Sequence, residues 1–175
     1  MKKLIPALFF CIAVVCLRAG EPTVTSTILT VGIIKEGDYA GYPGFRVETK
    51  IENQSADLVE VAYMLCSWDS SWKVAPDDEF LIPGWPCTRN FFTQTVLHPG
   101  DSMLFTFTVA AKRKDATIEG KKIKLGFIWQ KGSSQGWNEV KPDSNSPVLW
   151  SKELVMPGLG DQLLDSEGQM KVISK

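Results

Sequence analysis

From Phe45 to Glu52 the residues alternate in kind: Phe45, Val47, Thr49 and Ile51 are interleaved with Arg46, Glu48, Lys50 and Glu52. A period of two belongs to an extended chain that turns one face to a core and the other to water, so this segment predicts a half-buried strand. The pattern recurs at Met103, Phe105, Phe107 and Val109, and again at Ile123, Leu125, Phe127 and Trp129, with Lys122 and Lys124 on the opposite face. Further apolar runs at Val24 to Val31, Leu58 to Leu65, Phe91 to Leu97 and Val148 to Met156 bring the expected number to about seven strands. No long stretch carries a helical period, apart from a short possibility around Leu159 to Leu164.

The turns between these runs have their own chemistry. Asn53-Gln54-Ser55-Ala56-Asp57 is a polar reversal. His98-Pro99-Gly100-Asp101 fits a type II turn, in which Pro sets φ at the second position and Gly accepts a positive φ at the third. Polar-faced strands joined in this way predict an all-β fold, an immunoglobulin-like antiparallel β-sandwich of about seven strands, with a jelly roll or barrel as the alternative.

The N-terminus has the parts of a secretory signal: Lys2 and Lys3, an apolar run from Leu4 to Leu17, and small residues at Ala19 and Gly20. That run is about 14 residues, short of the roughly 20 that cross a bilayer. We therefore expect residues 1–20 to be a removed signal peptide, 21–156 the sandwich and 157–175 a C-terminal tail or strap. Localisation is then secreted or periplasmic, with membrane contact only through the signal segment. Acylation at Cys16 is an alternative, although Val15 precedes it where Gly, Ala or Ser is usual.

Removing the signal discards Cys11 and Cys16, and the two remaining cysteines in an oxidising compartment predict one disulfide, Cys66 with Cys87. Two free thiols are the alternative. Such a bridge would staple the loop C-S-W-D-S-S-W-K-V-A-P-D-D-E-F-L-I-P-G-W-P-C, which carries three of the six tryptophans. Trp68, Trp72 and Trp85 in this loop, with Trp137 in the Gly-, Ser- and Asn-rich connection Lys131 to Pro147, are the candidate binding residues. An indole offers a flat apolar face that stacks on sugar rings or anchors a protein partner. The competing expectation is that a long loop folds back and buries its own tryptophans. Trp129 and Trp150 fall on strand patterns and are expected in the core.

The stretch N-Q-S-A-D-L-V-E-V at Asn53 to Val61, together with F-F-T-Q-T-V-L-H-P-G-D-S at Phe91 to Ser102, resembles the core of bacterial immunoglobulin-like sandwiches of the intracellular proteinase inhibitor type. It is also similar to uncharacterised secreted bacterial proteins with a C-S-W-x-x-x-W segment, a second Cys and an L-x-P-G turn. The resemblance covers about half of residues 21–175 and implies the sandwich fold, with proteinase inhibition as one functional expectation. The loop from Cys66 to Cys87 departs from the inhibitor pattern.

Catalytic motifs are missing from the sequence. There is no G-x-S-x-G, H-E-x-x-H or glycine-rich phosphate loop, and the single histidine, His98, has a sufficient role in its turn. A glycosidase built on paired carboxylates remains open. Asp69, Asp77, Asp78 and Glu79 are close enough in sequence to suggest calcium, but their spacing fits no calcium loop, and one His rules against a zinc set. No catalytic residue, metal site or cofactor is therefore assigned. Charge excludes a nucleic-acid reading: removing Lys2, Lys3 and Arg18 leaves 16 basic against 20 acidic residues, a net of −4. The expected function is that of an exported, non-enzymatic module contacting a protein or the cell envelope. Carbohydrate binding through the loop tryptophans and proteinase inhibition are the alternatives.

Overall fold

A computed structural model describes residues 21–64, 66–84, 92–129, 146–165 and 168–174. Each segment expected as a strand contains strand within its described residues. They are β1 (Thr23–Ile34), β2 (Pro43–Glu52), β3 (Val59–Met64), β6 (Phe92–Leu97), β7 (Ser102–Ala111), β8 (Lys122–Ile128) and the pair β9 (Val148–Trp150) and β10 (Leu154–Val155). Four short strands complete the set: β4 (Trp72–Ala75), β5 (Phe80–Leu81), β11 (Gln162–Leu164) and β12 (Gln169–Ile173). The alternation in β2 is fully expressed, since Phe45, Val47, Thr49 and Ile51 are all buried. Both turns form as their residues require. Gly100 has φ +86°, the Asp101 N–H donates to the His98 carbonyl at 3.0 Å, and the Asp101 carboxylate accepts from the His98 N–H at 3.0 Å.

The immunoglobulin-like sandwich is not what these strands build. Among the described residues they assemble into three open sheets. The largest has the order β11-β1-β2-β7-β12, with β5 also on β7; the second has the order β10-β8-β4, with β9 also on β8; β3 and β6 pair with each other. The first is mixed, because β11 runs parallel to β1 through Gly32 to Ile34. The expected antiparallel two-sheet arrangement is therefore replaced by a three-sheet one. Alternation tells which face of a strand is buried but carries no information about which strand lies beside it.

Cys66 is disulfide-bonded, and Cys87, the partner expected for it, falls outside the described residues, so no bridge joins two described residues. Residues expected as a tail supply strands at both edges of the large sheet, β11 beside β1 and β12 beside β7. Between these strands the chain is tied down: the Thr108 hydroxyl donates to the Asp165 carbonyl at 2.6 Å, and Lys35 forms an ion pair with Asp165. That ammonium, by hydrogen bond and by charge, holds the Asp165 carboxyl below its usual range.

One hydrophobic cluster draws on all three sheets, including Phe45 and Phe105 from the first, Leu125 and Phe127 from the second, and Val61 and Leu97 from the third. A smaller cluster of Ile34, Ala110 and Leu164 lies where the C-terminal chain meets the large sheet. Ala110 faces the other way from Val109 in β7, so this sheet carries buried apolar residues on both faces.

Candidate functional site

The two loop tryptophans within the described residues are core. Trp68 opens a single 3-10 turn, Trp68–Ser71, that follows β3, and Trp72 starts β4. They are 6 % and 5 % exposed. Trp72 packs its ring against Phe105, Phe107 and Phe127 with centroids 5.2, 5.4 and 5.1 Å away, while Trp68 meets Phe105 and Phe107 at 5.6 and 5.5 Å. These separations fall within the range of favourable aromatic pairing. The Trp72 indole N–H and Asp69 Oδ1 are both buried without a hydrogen-bond partner among the described residues. Burial pushes the Asp69 carboxyl above its ordinary value of 3.8, an effect partly offset by the backbone N–H groups of Asp69 and Ser70. Trp85 and Trp137 lie outside the described residues.

The strand tryptophans divide. Trp129 is buried, and its Nε1 donates to the Glu60 carbonyl at 3.4 Å. Trp150, expected in the core, is 44 % exposed on the outer face of the sheet formed by β4, β8, β9 and β10. Register explains the difference. Leu149 pairs with Phe127 and faces the core, so Trp150, one residue on, pairs with Gly126 and faces out.

Gly126 gives the indole its seat. A Cβ at this position would stand 2.7 and 2.9 Å from Cε3 and Cζ3 of Trp150 and 2.5 Å from Cγ1 of Val148, so the ring occupies space that a side chain would otherwise fill. The strand carrying Trp150 is fixed on both sides of the residue. The Trp129 N–H donates to the Pro147 carbonyl at 2.9 Å and the Ser151 N–H to the Leu125 carbonyl at 2.8 Å, while the buried Ser151 hydroxyl accepts from the Leu125 N–H at 3.1 Å. Across the sheet, Lys73 of β4 pairs with Gly126, which makes Lys73, Gly126 and Trp150 one transverse row. Two signals in the sequence pointed here. A glycine inside a strand marks a close approach, and Leu149 and Trp150, being adjacent, cannot share a face.

A second concavity, about 380 Å³, is floored by Phe80, Ala111 and Ile118 and rimmed by charge. Its charges are largely matched: Lys121 meets Glu79 at 2.8 Å and Arg113 meets Asp115 at 2.8 Å. The Arg113 guanidinium, hydrogen-bonded to Asp115, holds that carboxyl below its usual range. Among the described residues, no group of three or more His, Cys, Asp or Glu side chains could hold a metal ion, so the acidic run from Asp77 to Glu79 does not form such a group. No helix among them is long and apolar enough to cross a membrane. No family model, curated protein or solved structure matches the chain.

Proposed function

We propose that this is an exported, non-enzymatic β module that works by contact with polysaccharide of a cell envelope, and that its contact surface is the outer face of β4, β8, β9 and β10 centred on Trp150. The observation that carries the reading is the seating of Trp150. Its indole leans over the space left open by Gly126, on a strand hydrogen-bonded at both sides, and stays 44 % exposed. Leaving 44 % of a large apolar ring in water forgoes roughly 1 kcal/mol of burial, and an ordered aromatic surface is the type of group that stacks on a sugar ring. Fixing the indole in advance also lowers the entropy lost on binding.

The site therefore differs from the loop-tryptophan surface expected from sequence, because Trp68 and Trp72 are committed to the core. The test is affinity electrophoresis of the protein and Trp150→Ala through gels containing soluble polysaccharides. Retardation by at least one glycan, lost in the variant, is expected. Retardation that survives the substitution would move the contact elsewhere, and none across a broad panel would remove the glycan reading. The proteinase-inhibitor alternative is tested on the same material, where undiminished digestion of a reporter substrate at stoichiometric protein by several protease classes rules it out.

A further inference from the structure

We infer that the ligand of the Trp150 face is an acidic polysaccharide, its anionic groups met by Lys73 and Lys124; this rests on the reading of that face as a glycan platform. Lys73 stands in the same cross-strand row as Trp150, two strand spacings away, about 10 Å between backbones. Lys124 lies two residues from Gly126 on the same face of β8, about 7 Å along the strand. Both side chains are exposed, and neither forms an ion pair among the described residues. Lys122, next along the same face, is by contrast already matched to Glu153 at 2.9 Å.

No Asp or Glu occurs in any of the four strands. Residues 21–175 nonetheless carry a net charge of −4. An overall acidic chain that places two ammonium groups, unmatched among the described residues, beside a seated, exposed indole has a local field opposite in sign to the whole. A neutral sugar would use the indole and leave both charges idle. A sugar bearing carboxylate or sulfate groups uses both, since each lysine carries its charge on a flexible four-carbon stem that can reach a substituent of a ring stacked on Trp150.

The experiment uses matched pairs that differ only in charge, polygalacturonate against its methyl ester and dextran sulfate against dextran, titrated into the protein, Lys73→Gln, Lys124→Gln and Trp150→Ala. The acidic member of at least one pair is expected to bind more tightly than its neutral partner. Each lysine substitution should weaken that binding about two- to five-fold, with neutral glycans unaffected. Binding should also fall as salt rises from 0.05 to 0.5 M, since screening shortens the reach of surface charges to a few ångströms. Which pair responds separates carboxylate from sulfate recognition. Equal binding of charged and neutral members, or acidic binding untouched by both lysine changes, overturns the inference and leaves the platform standing. Failure of every glycan removes platform and inference together. Binding confined to neutral glycans and lost in Trp150→Ala supports the platform but overturns the acidic preference.

Discussion

Replacing Trp72 should be far more damaging than replacing Trp150, although sequence places the first in a loop and the second in a strand. Trp72 is 5 % exposed and touches three phenylalanine rings, so Trp72→Ala opens a large cavity inside the aromatic cluster. Such truncations cost about 3–5 kcal/mol. For a domain of this size that is a fall of roughly 10 °C or more in Tm. Trp72→Phe separates packing from hydrogen bonding. It forfeits about 1–2 kcal/mol of apolar burial from the smaller ring. It also removes an indole N–H that is buried without a partner among the described residues, which returns about 1–3 kcal/mol. The two effects nearly cancel, so Trp72→Phe should lie within about 1 kcal/mol of the parent. Trp150→Ala vacates a ring that is 44 % exposed and should cost about 1–2 kcal/mol, well below the cost of Trp72→Ala. Urea unfolding followed by far-UV circular dichroism, a signal independent of tryptophan, measures all three. The packing argument fails if Trp72→Ala costs under 1 kcal/mol, or if Trp150→Ala costs as much as Trp72→Ala.

Asn53→Ala should destabilise by about 3 kcal/mol in the same assay, because the buried amide donates to the carbonyls of Asp57 and Leu97 and accepts from the Ser55 N–H and hydroxyl; a loss below 1 kcal/mol would show that these bonds are readily replaced. At Gly168 an added Cβ would stand 2.4 Å from the Trp68 ring and 3.0 Å from the Thr106 carbonyl, so Gly168→Ala should cost about 1–3 kcal/mol and increase hydrogen exchange in β12; unchanged stability and exchange would contradict that packing. Asp69 has a folded-state pKa raised by burial, so its contribution to stability is full below the unfolded value near 3.8 and is lost as pH rises through the folded value. Asp69→Asn should therefore raise Tm relative to the parent at pH 7 and lose that advantage at pH 3; an advantage independent of pH would rule out the ionisation cause.

Much of the fold is legible in the chain because its signals are local. The alternation of Phe45 to Ile51 survives intact as a buried stripe, and Pro99-Gly100 makes the turn that its φ preferences dictate. The short strands were not legible. β4, β5 and β11 cover four, two and three residues, too few for a period to show, and in β12 the alternation runs only from Gln169 to Val172. Sheet membership was also beyond reach, since β3 and β6 read like any other pair of alternating strands yet form a sheet of their own.

The tryptophans mark most clearly what each level decided. By itself the sequence determined that these residues are extended or turned, which positions share a face, and that a glycine interrupts β8. Only the tertiary structure decided which faces meet. It turned the loop indoles Trp68 and Trp72 onto Phe105 and Phe107, and left the strand indole Trp150 in water over Gly126. The physical reason is that a backbone period is set by bonds between neighbours in sequence. Burial depends instead on what packs against a face, and here that is supplied by strands as far apart in sequence as β1 and β11, where Gly32 pairs with Gln162.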